Sequence, residues 1–128
     1  MSKYLVVMLG GALGAVSRFI VATAITRFYS TVFPLGTFVI NITGSFLIGL
    51  LMPLFLNRPG LHANWRLFLV TGILGGYTTF SSFEWEALTA LRGGAQSVSF
   101  LYMGSSVVLG LGGAWLGLLI ANRLWPHS

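Results

Sequence analysis

Cysteine is absent from the 128 residues, which excludes disulfides and thiolate metal sites. Charge is scarce as well. Only 7% of residues are charged, against about 25% in a soluble domain, so the chain lacks the polar surface needed to face water. Its two acids, Glu84 and Glu86, have the wrong spacing for a shared helix face. No Ser/His/Asp arrangement, phosphate-binding loop or dinucleotide fingerprint is present, so no enzymatic activity is expected. The net charge of +5 comes from Lys and Arg scattered singly, which argues against a nucleic-acid partner. His62 and His127 have no neighbouring Cys, Asp or Glu and read as solvated. No period of about 20–50 residues repeats, so an internal inverted repeat is not supported.

What remains is overwhelmingly apolar: 55% of residues are hydrophobic and the mean hydropathy is +0.87. Hydropathy divides the chain into spans at roughly residues 4–26, 35–56, 66–91 and 97–121, each meeting the need for about 20 mostly apolar residues. The expectation is one all-α membrane domain over residues 1–128, with four transmembrane helices. Pro34 suits the first turn of a helix. Asn57-Arg58-Pro59-Gly60 is a turn cluster, and Arg92-Gly93-Gly94 ends the third span with glycine as a C-terminal cap. Trp65 and Trp125 lie at span ends, where indoles favour the water–lipid boundary. The first span is too long for a signal-peptide core and contains Arg18.

Basic residues fix no clear orientation. Lys3, Arg58, Arg66 and Arg123 lie on one side, Arg27 and Arg92 on the other, with Arg18 towards the latter. So small a bias permits insertion both ways and antiparallel self-pairing. Gly10/Gly14, Gly72/Gly76 and Gly113/Gly117 each place two glycines one turn apart, which lets helices approach closely in lipid, within one subunit or between two.

The third span carries the most informative stretch. Gly75, Gly76, Thr78, Thr79, Ser81 and Ser82 crowd its middle. Irregular or polar backbone at that depth survives only if buried in protein or facing a water-filled cavity, so the helix is expected to break there around an ion or substrate site. Asn41, with two donors and an acceptor, is suited to hold an anion or to bridge helices. Phe80 and Phe83 share a helical face, and their positive ring edges beside hydroxyl and amide donors could solvate a small anion without a full charge. Tyr102 and Ser106 could continue a line of hydroxyls, which stops at Gly110 and Ala114. Arg18 either attracts anions or snorkels and caps carbonyls, with Glu86 a possible partner.

Gly10-Gly11-x-x-Gly14-Ala15-x-x-Arg18-Phe19, Gly36-Thr37-x-x-x-Asn41-x-x-Gly44 and Gly75-Gly76-x-Thr78-Thr79-Phe80-Ser81-Ser82-Phe83-x-x-Glu86 together resemble the Fluc (CrcB) fluoride channel family. The resemblance spans all four helices. It implies an antiparallel, dual-topology homodimer in the bacterial inner membrane, with two pores for passive fluoride efflux that relieves fluoride toxicity. It places Asn41, Phe80 and Phe83 at the pore, with Thr79, Ser81 and Ser82 in its wall and Tyr102 and Ser106 on a polar track. Relatives tend to have hydroxyls where this chain has Gly110 and Ala114. The resemblance also implies a structural Na+ at the dimer centre, held by the backbone carbonyls of Gly75 and Thr78 from both subunits. Arg18 and Glu86 then take vestibule or structural roles. The main rival is a small dual-topology proton-coupled antiporter of cationic compounds, which would need a carboxylate in the first span, where this chain has none.

Overall fold

The computed structural model describes residues 2–58, 60–61 and 63–126. Pro59, His62 and His127, read above as turn or solvated positions, lie outside the described residues. Helix α1 (Lys3–Phe28) is followed by α2 (Leu35–Asn57). Ala63–Arg66, Leu67–Leu74 and Gly75–Tyr77 run on without interruption as α3, whose central stretch Leu67–Leu74 is wound as a π-helix. The third span then breaks and resumes as α4 (Ser81–Arg92), and α5 (Gln96–Leu124) completes the chain. The architecture is all-α, with the third of four helices interrupted near its middle as expected. Helices α1, α2 and α5 are each long and apolar enough to cross a membrane unbroken.

The ends of these elements follow from local chemistry. Pro34 precedes the first turn of α2 as its cap, and its carbonyl accepts the Phe38 N–H at 3.1 Å. At the end of α4 the chain turns through Gly94, whose φ of 85° is the only positive value among the described residues. A side chain would resist that geometry, so glycine stops the helix here. The Gly93 N–H closes back on Thr89 O at 2.9 Å and the Ala95 N–H on Ala90 O at 2.9 Å.

All three glycine pairs act inside one chain. Gly10 and Gly14 of α1 meet the π-helical stretch of α3. A Cβ on Gly10 would lie 2.9 Å from Gly72 Cα, and one on Gly14 would collide with the Ile73 carbonyl oxygen. A Cβ on Gly76 would come within 2.5 Å of Gly11 O. Gly113 and Gly117 do the same for α5 against α2: Gly113 faces Ile42 O and Gly117 faces Phe46 O. Gly49 returns the contact against the Ala114 carbonyl. Helix pairing in lipid gains little from the hydrophobic effect, and close backbone approach replaces it. Large outward side chains such as Phe19, Leu111 and Trp115 remain exposed, as suits a surface facing lipid or another subunit.

The seams make a direct prediction. Gly14→Ala should destabilise the fold by about 3 kcal/mol, because the clash is with backbone that cannot rotate aside. Gly11→Ala meets open space and should be neutral or slightly stabilising. Thermal unfolding in detergent compares the two; equal midpoints would show that α1 and α3 are not packed backbone to backbone.

Candidate functional site

The site grows from the interruption of the third span. Thr78 is extended (φ −79°, ψ 159°), and Phe80 returns to helical angles just before α4. In an unbroken helix the Thr79 N–H would reach Gly75 O and the Ser82 N–H would reach Thr78 O. Both donors are diverted. The Thr79 N–H donates to Asn41 Oδ1 at 2.9 Å, while Asn41 Nδ2 donates to Thr79 O at 2.8 Å. The Ser82 N–H turns to Thr79 Oγ1 at 3.3 Å, and that hydroxyl donates to Ser82 Oγ at 3.1 Å. One carboxamide thus satisfies both backbone groups of Thr79, and the carbonyls of Gly75 and Thr78 lose their helical donors. Helix α2 comes this close because residue 44 is glycine; a Cβ there would collide with the Thr78 methyl.

A second cluster lies along α4 and α5. Glu86 accepts a hydrogen bond from Thr37 Oγ1 on one oxygen and from the Tyr102 hydroxyl on the other, each at 2.7 Å. Arg18, the possible partner considered from sequence, is not among these contacts: it sits half-buried on α1, and neutral hydroxyls hold the carboxylate instead. Tyr102 is fully buried, and Ser99 below it donates to Ala87 O at 2.7 Å, fastening α5 to α4. Ring contacts run from Phe80 to Phe83 (centroids 6.0 Å apart), on to Tyr102 (5.1 Å) and then edge-on to Phe33 (5.3 Å) in the α1–α2 loop. Phe80, at the outer end of this chain of rings, is 70% exposed.

Beside the break lies a cavity of about 560 Å³. Of the residues singled out from sequence, Asn41, Thr79, Phe80, Phe83 and Ser106 line it, together with Gly75 and Thr78. Ser106 Oγ is buried there without a hydrogen-bond partner. Ser81, Ser82 and Tyr102 do not line it: Ser81 is exposed, Ser82 is paired with Thr79, and the Tyr102 hydroxyl donates its hydrogen bond to Glu86. Thr37, Ser45 and Phe33 were not singled out as site residues. The four-residue spacing of Thr37, Asn41 and Ser45, the same interval that links Tyr102 to Ser106, was the available signal for the first two. Phe33 had none, since a loop aromatic has no periodicity to mark its direction.

The sequence model of the family described as CrcB-like protein, Camphor Resistance (CrcB), matches residues 5–118. Among curated relatives, a protein of Solibacter usitatus named fluoride-specific ion channel FluC is 48% identical over 121 residues, covering 94% of this chain and 99% of the relative. Proteins of the same name from Acidobacterium capsulatum (48% over 122 residues; 95% of this chain, 98% of the relative) and Caulobacter sp. (40% over 126 residues; 98% of each) are similar along their whole length.

The clamp on Thr79 has a measurable worth. Asn41→Leu leaves an amide and a carbonyl unsatisfied at membrane depth, at about 1–3 kcal/mol each. Asn41→Asp keeps the acceptor and loses the donor, so its unfolding midpoint in detergent should fall between those of Asn41→Leu and the parent. Parent-like stability of Asn41→Leu would mean that the break is held by something else.

Proposed function

The chain belongs to the CrcB-like family, and we propose that it is a fluoride-selective channel for passive efflux across the bacterial cytoplasmic membrane, not an enzyme. The observation that carries this reading is the cavity at the broken helix, where neutral donors and phenylalanine rings converge without a cation. Fluoride is small and strongly hydrated, so entry requires several hydrogen-bond donors in place of water. The second amide proton of Asn41 and the unpartnered hydroxyl of Ser106 are suited to this, and the edges of Phe80 and Phe83 add the positive rim of their rings. None of these groups carries a full charge, so an ion they bind is also released quickly, as conduction demands.

No coupling carboxylate is required. Fluoride enters cells as the neutral weak acid and is trapped as the anion. An inside-negative potential of 100 mV, worth about 2.3 kcal/mol per charge, drives it out through a passive pore. A proton-coupled cation antiporter is disfavoured because α1 carries Arg18 and no acid. Glu86 does not line the cavity and is already committed to Thr37 and Tyr102.

The working unit is proposed to be an antiparallel pair of chains with two pores. The balanced basic residues permit both insertions, and the exposed ring of Phe80 belongs to a cavity wall that a second copy would complete. A structural Na+ at the pair's centre is part of the same reading. The Gly75 and Thr78 carbonyls fit it, because both have lost their helical donors and hard oxygens suit a small cation. Such an ion would tie the two breaks together.

Purified protein in liposomes should release fluoride, and not chloride, once a potential shunt is added; a flat fluoride-electrode trace from folded protein would sink the channel reading. Phe83→Ile removes one ring edge while keeping an apolar side chain, and should slow fluoride release at least tenfold with the oligomer intact. Unchanged flux would take that ring out of the mechanism.

A further inference from the structure

Helices α2 and α5 run side by side in the same direction, and their contacts hold one register. Ser45 Oγ lies 3.6 Å from where a Cβ on Gly110 would stand, and Gly49 faces Ala114 one turn further on. The same offset sets Asn41 level with Ser106 and Thr37 level with Tyr102, the last two meeting through the shared carboxylate of Glu86. Two polar rows therefore lie next to each other at four-residue spacing. On α5 the row reads Tyr102, Ser106, Gly110, Ala114, and its hydroxyls end at Ser106. On α2 it reads Thr37, Asn41, Ser45, Gly49, and extends one level further.

Ser45 stands where α5 has only a glycine. It lines the cavity with Asn41 and Ser106, and the wall beside it is completed by Ile48 and Val107, which offer no donor. Nearby serines and threonines on the helices bond back to their own backbone, Thr43 to Val39 O and Ser105 to Leu101 O, both within 2.7 Å. Ser45 makes no such bond and Ser106 Oγ is buried without a partner, so both hydroxyls are left for whatever occupies the space between them. Below this level Gly49 and Ala114 touch backbone to backbone and the rows close.

From this juxtaposition we infer that Ser45 is a fluoride-contacting residue: with Ser106 it forms the last donor station of the path, replacing from α2 the hydroxyl that α5 lacks at Gly110. The assignment rests on the channel reading above. An anion leaving Asn41 along these rows exchanges one donor for the next, and without Ser45 it would face Ile48, Val107 and Gly110 with water alone.

The test uses full-length protein in liposomes and a fluoride electrode. Ser45→Ala should slow fluoride release on the order of tenfold, the loss expected for one hydrogen bond to an ion. Adding Gly110→Ser on that background returns a hydroxyl to the same level from the other helix, where the spacing accommodates it, and should restore most of the flux; adding Gly110→Ala should not. Ser45→Cys, close in volume and a poorer donor, should also be slow, and it covers the case in which alanine unsettles the helix seam. Silent wild-type liposomes would overturn the channel reading and this station with it. Fast wild-type release with equally fast Ser45→Ala would overturn the station alone. So would rescue by Gly110→Ala as complete as by Gly110→Ser, or no rescue by either, since each would make volume or packing, not a donor, the cause.

Discussion

A peptide group that leaves helical geometry inside hydrocarbon has no water to turn to, and the rest of this structure is arranged around meeting that demand at Thr79. The carboxamide of Asn41 answers both of the residue's backbone groups at once. That requires α2 to lie against the break, which requires glycine at residue 44. It also requires α3 to be held in place, which the contact of Gly10 and Gly14 with the π-helical stretch provides. Wide helical turns of this kind are uncommon and tend to occur at functional sites. Here the wide segment ends at Leu74, immediately before the glycines that precede the break.

The second organising choice is the use of hydroxyls and amides where a soluble protein would place ions. A part-buried carboxylate needs partners, and Glu86 finds them in Thr37 and Tyr102. That arrangement keeps both hydroxyl protons pointed at the acid and away from the cavity. The free donors lie further along the same rows, at Asn41, Ser45 and Ser106. The acid, on α4, meets the rows only at the level of Thr37 and Tyr102, so in the proposed pore a passing anion is offered hydrogen bonds without standing next to a bare negative charge.

Much of this was legible in the sequence. The apolar runs, the Gly94 stop and the glycine pairs follow from local rules, and each is found where those rules put it. The interruption of the third span could be read because glycines and hydroxyls at membrane depth have few other uses. What could not be read was which partner each polar group takes. Asn41 by itself reads first as a helix bridge and second as an anion ligand, and only the fold shows that its partner is the backbone of Thr79. Arg18 was the obvious counter-ion for Glu86 by charge, yet the helix register sets Thr37 and Tyr102 against the carboxylate instead. Ser45 adds a hydroxyl beside Asn41 in the sequence, but serines in spans often bond back to their own helix, as Thr43 does here. The meaning of Ser45 depends on the absence of a side chain on a different helix.

The contact between α2 and α5 has a mechanical consequence. Gly49 against the Ala114 carbonyl, and Gly113 and Gly117 against the carbonyls of Ile42 and Phe46, bring main chain directly onto main chain. Side chains can rotate out of the way of an intruder; two helices in backbone contact yield only by sliding as whole rods. The rows of Asn41 and Ser45 opposite Ser106 therefore have a fixed gauge, like rails laid on common sleepers. An ion too wide for that gauge would have to spread two helices along their length. In the proposed pore, size exclusion would reside in the glycines as much as in the residues beside the ion.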